Sequence, residues 1–235
     1  MASITTTASV DTAQALLAGK ERTSPDSLDF AARLRRARLG LVVALTAVVM
    51  MFVSYSSAYV VRQGLPTLDP RTGTLVHDWL PLQLPNFLLI NTLVLLISTV
   101  TMELARRQSA REAAAIANAS GAASARPHAD GMPWLALTTI LGASFLAGQW
   151  LVWRELAASG FYVSTSPSSS FFYLLTGLHG IHLLGGILAL LAAGAASVVR
   201  KSAESRGVMV DVTAWYWHFM AFLWVYILCL LEFAR

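Results

Sequence analysis

Five long apolar runs, separated by shorter polar segments, dominate the pattern of hydrophobic and polar positions along the chain. At about 1.5 Å of rise per residue, each run is long enough to cross a hydrocarbon core of roughly 30 Å as an α-helix. No internal repeat is evident among them. The pattern predicts an all-α integral membrane bundle of five transmembrane helices, with spans at about residues 39–61, 84–105, 132–156, 170–199 and 210–232.

The segment before the first run, residues 1–38, has a different character. It is polar and rich in Ala, Ser and Thr, and its last residues are strongly basic. We predict a flexible polar tail that ends in a short basic helix over residues 30–38. The chain is thus expected to comprise this tail and a five-helix transmembrane domain over residues 39–235.

The basic residues between the runs are distributed unequally. Of the 17 Lys and Arg residues, six lie in the tail, four between the second and third runs, and three between the fourth and fifth. The other four fall at the opposite ends of the runs. Because loops rich in Lys and Arg stay on the cytoplasmic side, we predict a cytoplasmic N-terminus and, after five crossings, a C-terminus outside.

The composition agrees with a membrane protein and argues against a soluble domain, a nucleic-acid partner and an intrachain disulfide. Hydrophobic residues make up 56% of the chain and charged residues 13%, and the mean hydropathy of +0.59 excludes an ordinary soluble domain. The isoelectric point near 9.6 would suit a nucleic-acid partner, but the basic residues cluster at the membrane edges, so none is expected. The single cysteine, Cys229, excludes an intrachain disulfide.

Three histidines lie inside the predicted spans, where ionisable side chains are costly and mark candidate functional positions. His179 and His182 are three residues apart on one helix, so they cannot be opposite axial ligands of one haem, and no metal-site spacing is evident. We interpret the histidines as neutral side chains that hydrogen-bond between helices, each contact contributing about 0.6 kcal/mol. Ligation of a metal or haem is the alternative. Because His182 and His218 lie at matching depth on consecutive helices, we expect them to stabilise the packing of the fourth helix against the fifth.

Two acidic residues lie near the ends of the predicted spans. Glu103 is followed by Arg106 and Arg107 at i+3 and i+4, a spacing that predicts an ion pair at the membrane interface. Glu155 lies near the outer end of the third span, where its side chain can reach the lipid headgroups.

Four stretches carry a family resemblance. They are AWYWHF at residues 214–219 with the aromatic-rich helix that follows, TGLHGIH at 176–182, LPNFLLINTLVLLISTVT at 84–101 and, more weakly, the polar positions of 149–155. In this order they resemble helices of the haem-copper oxidase subunit III family, that is, cytochrome c oxidase subunit III in its five-helix form. The resemblance implies polar positions that contact lipid or a neighbouring helix, namely Asn91, Gln149, Glu155, His179, His182, Trp217 and His218.

The resemblance also implies a function. Subunit III is an accessory part of a proton-pumping haem-copper terminal oxidase, which reduces oxygen to water in aerobic respiratory electron transport. In the family, oxygen chemistry belongs to subunit I and electron entry to subunit II, so no cofactor, metal or catalytic residue is expected in this chain. It would pack directly against subunit I, adjoin subunit II and other respiratory complexes, bind phospholipid and sustain turnover, in the inner (plasma) membrane of a bacterium.

One departure from the family concerns the first run, where members usually carry a buried glutamate implicated in lipid contact and proton uptake. Ala47 and Val48 occupy that region here, so we expect no proton-collecting role for this helix. The resemblance leaves the electron donor open between cytochrome c and quinol, and a nitric-oxide-reductase-associated relative shares the five-helix pattern. A small membrane transport or binding protein is a more distant alternative, disfavoured because the chain has no repeat and no helix pair broken by Pro and Gly.

Overall fold

The computed structural model describes residues 25–68, 71–79, 85–118, 131–199 and 203–233. The chain divides into two compact units, Met1–Gly40 and Leu41–Arg235. In the first unit, the described residues 25–40 are helical. The elements in chain order are α1 (Pro25–Gly64), β1 (Thr67–Leu68), β2 (Leu75–Val76), α2 (Phe87–Asn118), α3 (Met132–Ala158), α4 (Pro167–Val198) and α5 (Ala203–Phe233).

Each of these five helices contains a segment long and apolar enough to cross a membrane. This confirms the predicted all-α architecture of five transmembrane helices, while the orientation of the termini stays a prediction. The segments are Ala32–Gly64, Phe87–Glu112, Met132–Ala158, Pro167–Val198 and Ser205–Phe233.

Several helices extend past the apolar runs that predicted them. Helix α1 covers both the expected basic helix over 30–38 and the expected span over 39–61, and α2 continues from residue 105 to Asn118. A helix can continue into polar sequence, because its backbone hydrogen bonds do not depend on apolar side chains. Hydropathy finds only the apolar part of such a helix, which is the part that can lie in lipid. Residue 84, the predicted start of the second span, and most of the predicted tail lie outside the described residues.

A small antiparallel hairpin, which was not predicted from the sequence, follows α1. Strands β1 and β2 pair with each other, and Gly73 between them adopts φ 65°, a left-handed conformation that glycine accepts without steric cost. Two strands of two residues are marginal alone. Arg62 at the end of α1 secures them, because its guanidinium donates to Thr67 Oγ1 at 3.0 Å and to Asp78 Oδ2 at 2.7 Å.

The turn between α3 and α4 is fixed by its local sequence. Gly160 ends α3 with φ 86°, and Pro167 starts α4 at a position where its missing N–H is not needed. Ser166 caps α4 reciprocally with Ser169, since each side chain bonds the other residue's backbone N–H. This short, well-capped turn places α3 and α4 antiparallel and side by side.

Helices α2 to α5 form the closely packed core. Helix α2 packs against α3 and α5, and α4 packs against the same two helices. Residues 41–64 of α1 contact α4 through aromatic side chains. The ring of Phe52 lies 6.0 Å from that of His182, and the ring of Tyr59 lies 5.7 Å from that of Phe171. Most other side chains of this segment are exposed, which costs nothing where hydrocarbon covers them.

Candidate functional site

Two buried tryptophans of α5 form the centre of the core and bond to α2. The indole N–H of Trp217 donates to Ser98 Oγ at 3.0 Å, and that of Trp224 donates to Thr92 Oγ1 at 3.0 Å. Both rings are almost completely buried, so each polar N–H needs such a partner. The two bonds fasten α5 to α2 at two levels of the bundle.

Trp217 fits because two glycines leave room for its ring. A Cβ atom at Gly142 of α3 would lie 2.5 Å from Cη2 of Trp217, and one at Gly186 of α4 would lie 3.2 Å from Cε3 and Cζ3 of the same ring. A single side chain therefore touches three neighbouring helices. This contact explains structurally why a tryptophan occupies this position of α5.

Asn91 connects α2 to α3 inside the core. It is 3% exposed, and its Nδ2 donates to the backbone carbonyl of Phe145 at 3.1 Å. A Cβ atom at Gly148 would clash with its Oδ1, so the glycine allows the amide to approach α3. Nearer the other end of the same helix pair, the hydroxyls of Thr101 and Thr138 are 2.8 Å apart.

Gln149 and His179 are two polar side chains buried in the centre of the bundle. The His179 ring is fully buried and stands edge-on to Phe145, with its centroid 6.1 Å from that ring and 5.0 Å from the ring of Trp224. Gln149 is 4% exposed. Within the described part of the chain, neither the amide of Gln149 nor the imidazole of His179 forms a hydrogen bond.

The structure directs the side chains of His182 and His218 to different helices. Nδ1 of His182 donates to the carbonyl of Leu178 on its own helix at 2.7 Å, and its ring faces Phe52 of α1. His218 lies across from α2 instead. The contact between α4 and α5 at this depth comes from Tyr216, whose hydroxyl donates to the His182 carbonyl at 2.8 Å.

The expected ion pair of Glu103 is confirmed and belongs to a larger network. Its carboxylate accepts two bonds of 2.8 Å from Arg106 and one of 2.7 Å from Arg107. Two residues of α5 extend the network, because His218 Nε2 lies 3.6 Å from Glu103 and Asp211 lies 3.6 Å from Arg106. This network joins the C-terminal half of α2 to the N-terminal half of α5.

A second ion pair joins the same two helices, with Arg206 donating to Glu112 at 3.0 Å. This ion pair, and the contacts of Asp211 and His218 with α2, were not predicted from the sequence. The sequence does contain a signal for ion pairs between these helices. The end of α2 and the start of α5 lie on the same side of the membrane and carry residues of opposite charge. Glu155, by contrast, is exposed near the end of α3, away from the buried polar positions.

The residues described in the structure offer no evident metal centre. No group of three or more His, Cys, Asp or Glu among them is placed to hold a metal ion. The three histidines of the spans do not converge, because His179 faces the aromatic centre, His182 bonds its own helix and His218 faces Glu103. The arrangement is suited to holding helices together by neutral hydrogen bonds in the core and ion pairs toward one end.

Comparison with known proteins gives one coherent result. The family model of cytochrome c oxidase subunit III matches residues 30–233. The probable cytochrome c oxidase subunit 3 of Nocardia farcinica is 32% identical over 102 residues, which is 43% of this chain and 50% of that protein. The alignment thus spans about half the length of that relative, as it does for the relatives from Mycobacterium leprae and Mycobacterium bovis.

Two relatives of lower identity, also described as cytochrome c oxidase subunit 3, align with the chain over a longer stretch. Cytochrome c oxidase subunit 3 of Thermostichus vulcanus is 28% identical over 200 residues, covering 82% of this chain and 85% of that protein. The wheat protein, from Triticum aestivum, is 28% identical over 195 residues, covering 81% and 65%. The similarity therefore extends over the described helices and is not confined to the aromatic motif of α5.

Proposed function

The chain belongs to the cytochrome c oxidase subunit III family, and from that membership we propose that it is the accessory, cofactor-free subunit III of a proton-pumping haem-copper terminal oxidase. The match to the family over residues 30–233 is the observation that carries this proposal. With its five spanning helices and oxidase subunits of bacteria among its relatives, the chain is a multi-pass protein of the bacterial inner membrane.

We propose that this chain is non-catalytic within its complex. Support comes from the way its buried polar side chains are used. The indoles of Trp217 and Trp224 and the amide of Asn91 bond groups on neighbouring helices, and Nδ1 of His182 bonds a backbone carbonyl. These contacts position helices and leave no converging set of ligands for a redox centre among the described residues.

The partners that we propose are subunit I in direct contact, subunit II and other respiratory complexes nearby, and phospholipid. Large apolar side chains on the outer faces of the helices support contact with lipid or with partner helices. Examples are Leu93 of α2, Ile181 of α4 and Phe222 of α5, which are more than half exposed. Hydrocarbon or another apolar helix can cover such faces without leaving a polar group unpaired.

The test is purification of the tagged full-length chain from its own membrane in mild detergent. We expect it to copurify with a polypeptide that carries haem and copper, in a fraction that consumes oxygen. Supplying cytochrome c and a quinol in turn then identifies the electron donor. A colourless chain that purifies free of other subunits would contradict the proposal and favour the transport or binding alternative.

The cofactor-free part of the proposal has its own readout. After the chain is separated from its partners, we expect no haem absorbance near the Soret wavelength and no stoichiometric copper. A Soret band that stays with the separated chain and disappears in His182→Ala would contradict this part, even if the chain copurifies with an oxidase.

A further inference from the structure

Two side chains at the centre of the bundle have unmet hydrogen-bonding capacity. Neither Oε1 nor Nε2 of Gln149, and neither Nδ1 nor Nε2 of His179, has a partner among the described residues. Polar side chains near them do have partners, since Asn91 Nδ2 donates to the carbonyl of Phe145 and Thr176 Oγ1 donates to the carbonyl of Phe172. Buried polar groups are nearly always paired, because an unpaired one loses its bonds to water without replacement. Four unpaired atoms in one region therefore need an explanation.

The register of α3 and α4 places these two side chains at the same level. The rings of Phe145 and His179 are 6.1 Å apart, and the indole N–H of Trp153 donates to Thr176 Oγ1 at 3.1 Å. Gln149 lies midway between Phe145 and Trp153 along α3. At about 3.6 residues per turn, it points in a direction between theirs. Gln149 and His179 thus face the same interior region from adjacent helices.

The chemistry of the unpaired atoms indicates what they bind. The Gln149 amide offers two N–H donors and a carbonyl acceptor, and a neutral imidazole offers one donor and one acceptor. A ligand that both donates and accepts is required, with no charge to compensate, since no Asp, Glu, Lys or Arg is among the buried side chains of α3 and α4. Water has this capacity, and buried waters characteristically bond to otherwise unsatisfied polar groups.

We propose that bound water occupies the interior between α3 and α4, hydrogen-bonded to the amide of Gln149 and the imidazole of His179. This hydration site is independent of the proposed oxidase function. The water links the two helices beside the direct bond of Trp153 to Thr176, and it allows a glutamine and a histidine to be buried among aromatic rings without unpaired atoms. Lipid cannot supply these bonds, so the water is retained inside the protein.

Radiolytic labelling of the intact purified protein, with its accompanying subunits, tests this site. A short X-ray pulse converts bound water to hydroxyl radicals, which oxidise adjacent side chains that bulk solvent cannot reach, and mass spectrometry locates the oxidation. We expect oxidation at His179 and at its ring neighbours Phe145 and Trp224. Phe172 of the same core, which is fully buried, is the internal control and should stay unlabelled.

The double variant Gln149→Leu/His179→Phe provides the matched control. It removes both hydrogen-bonding side chains, so labelling of Phe145 and Trp224 should be lost while Phe172 stays unlabelled. The proposal would be overturned if His179, Phe145 and Trp224 of the wild type were labelled no more than Phe172. A direct hydrogen bond between Gln149 and His179, with no water between them, would give that result. Labelling that persists unchanged in the double variant would overturn it as well. Should the variant fail to fold, the wild-type comparison with Phe172 decides alone.

Discussion

At the scale of single residues, Trp217 shows how one side chain can set the spacing of several helices. Its N–H bonds Ser98 of α2, and its ring fills the space left by Gly142 of α3 and Gly186 of α4. Protein interiors are packed too tightly to absorb an added carbon at such a contact without movement. The glycines should therefore be the sensitive positions of the core.

Gly142→Ala is expected to destabilise the protein. The new Cβ atom would lie 2.5 Å from Cη2 of Trp217, so the ring or the helix must shift, and overpacking of this kind costs about 1–3 kcal/mol. Thermal unfolding of the purified protein measures the loss. Gly194→Ala is the matched control, because a Cβ atom at Gly194 of α4 meets no atom within 4 Å. Equal changes in melting temperature for the two variants would contradict the packing assigned to Trp217.

Glu103→Gln should weaken the attachment of α2 to α5. Glu103 accepts bonds from Arg106 and Arg107 and faces His218, so neutralising it removes the acidic centre of the network. We expect a loss on the order of 1 kcal/mol in thermal stability, because the groups are only partly buried. The loss should shrink at high salt. Glu155→Gln, which neutralises an exposed carboxylate, should have little effect, and an equal effect would argue against the network.

At the scale of elements, the number and kind of helices were predictable because an apolar run of about 20 residues has few stable conformations in lipid. The partner of His218 was not predictable, because hydropathy fixes depth but not the rotation of a helix about its axis. Helix α5 turns Trp217 toward the core, which brings Tyr216 to α4 and His218 to α2. Matching depth on consecutive helices therefore does not decide which helices the side chains of His182 and His218 contact.

The hairpin after α1 could not be predicted from the sequence for a different reason. Its strands are two residues long, too short to show a periodic pattern, and their stability depends on Arg62, which is part of the preceding helix. The sequence likewise marked Gln149 and His179 as polar positions but did not show that both are buried without a hydrogen-bond partner among the described residues.

Acidification should release the hairpin. Hydrogen bonds from Arg62, and next from Thr67, hold the pKa of Asp78 below its ordinary value. Because the folded pKa is the lower one, the contribution of the carboxylate is complete above the ordinary pKa and is lost as pH falls through the lowered value. We expect hydrogen exchange at residues 65–68 and 71–79 to be slower in the wild type than in Asp78→Asn at neutral pH, with the difference vanishing in strong acid. A difference that is constant with pH would contradict this assignment.

At the scale of the whole molecule, the distribution of basic residues predicts the N-terminus inside and the C-terminus outside. A reporter enzyme that works only outside the cytoplasm should be active when fused after Arg235. The same reporter fused at Gly121, between the second and third spans, should be inactive. Activity in the reverse order, or at both positions, would contradict five crossings in this orientation.

We propose that this chain supports an oxidase without taking part in its chemistry. The most direct measurement is oxygen consumption by the purified complex with and without the chain, followed over many turnovers at equal haem content. We predict similar initial rates, a faster decline of activity without the chain, and a slower decline once the chain is added back. A complex that lacks the chain, keeps its haem spectrum and shows no initial oxygen consumption would contradict the claim.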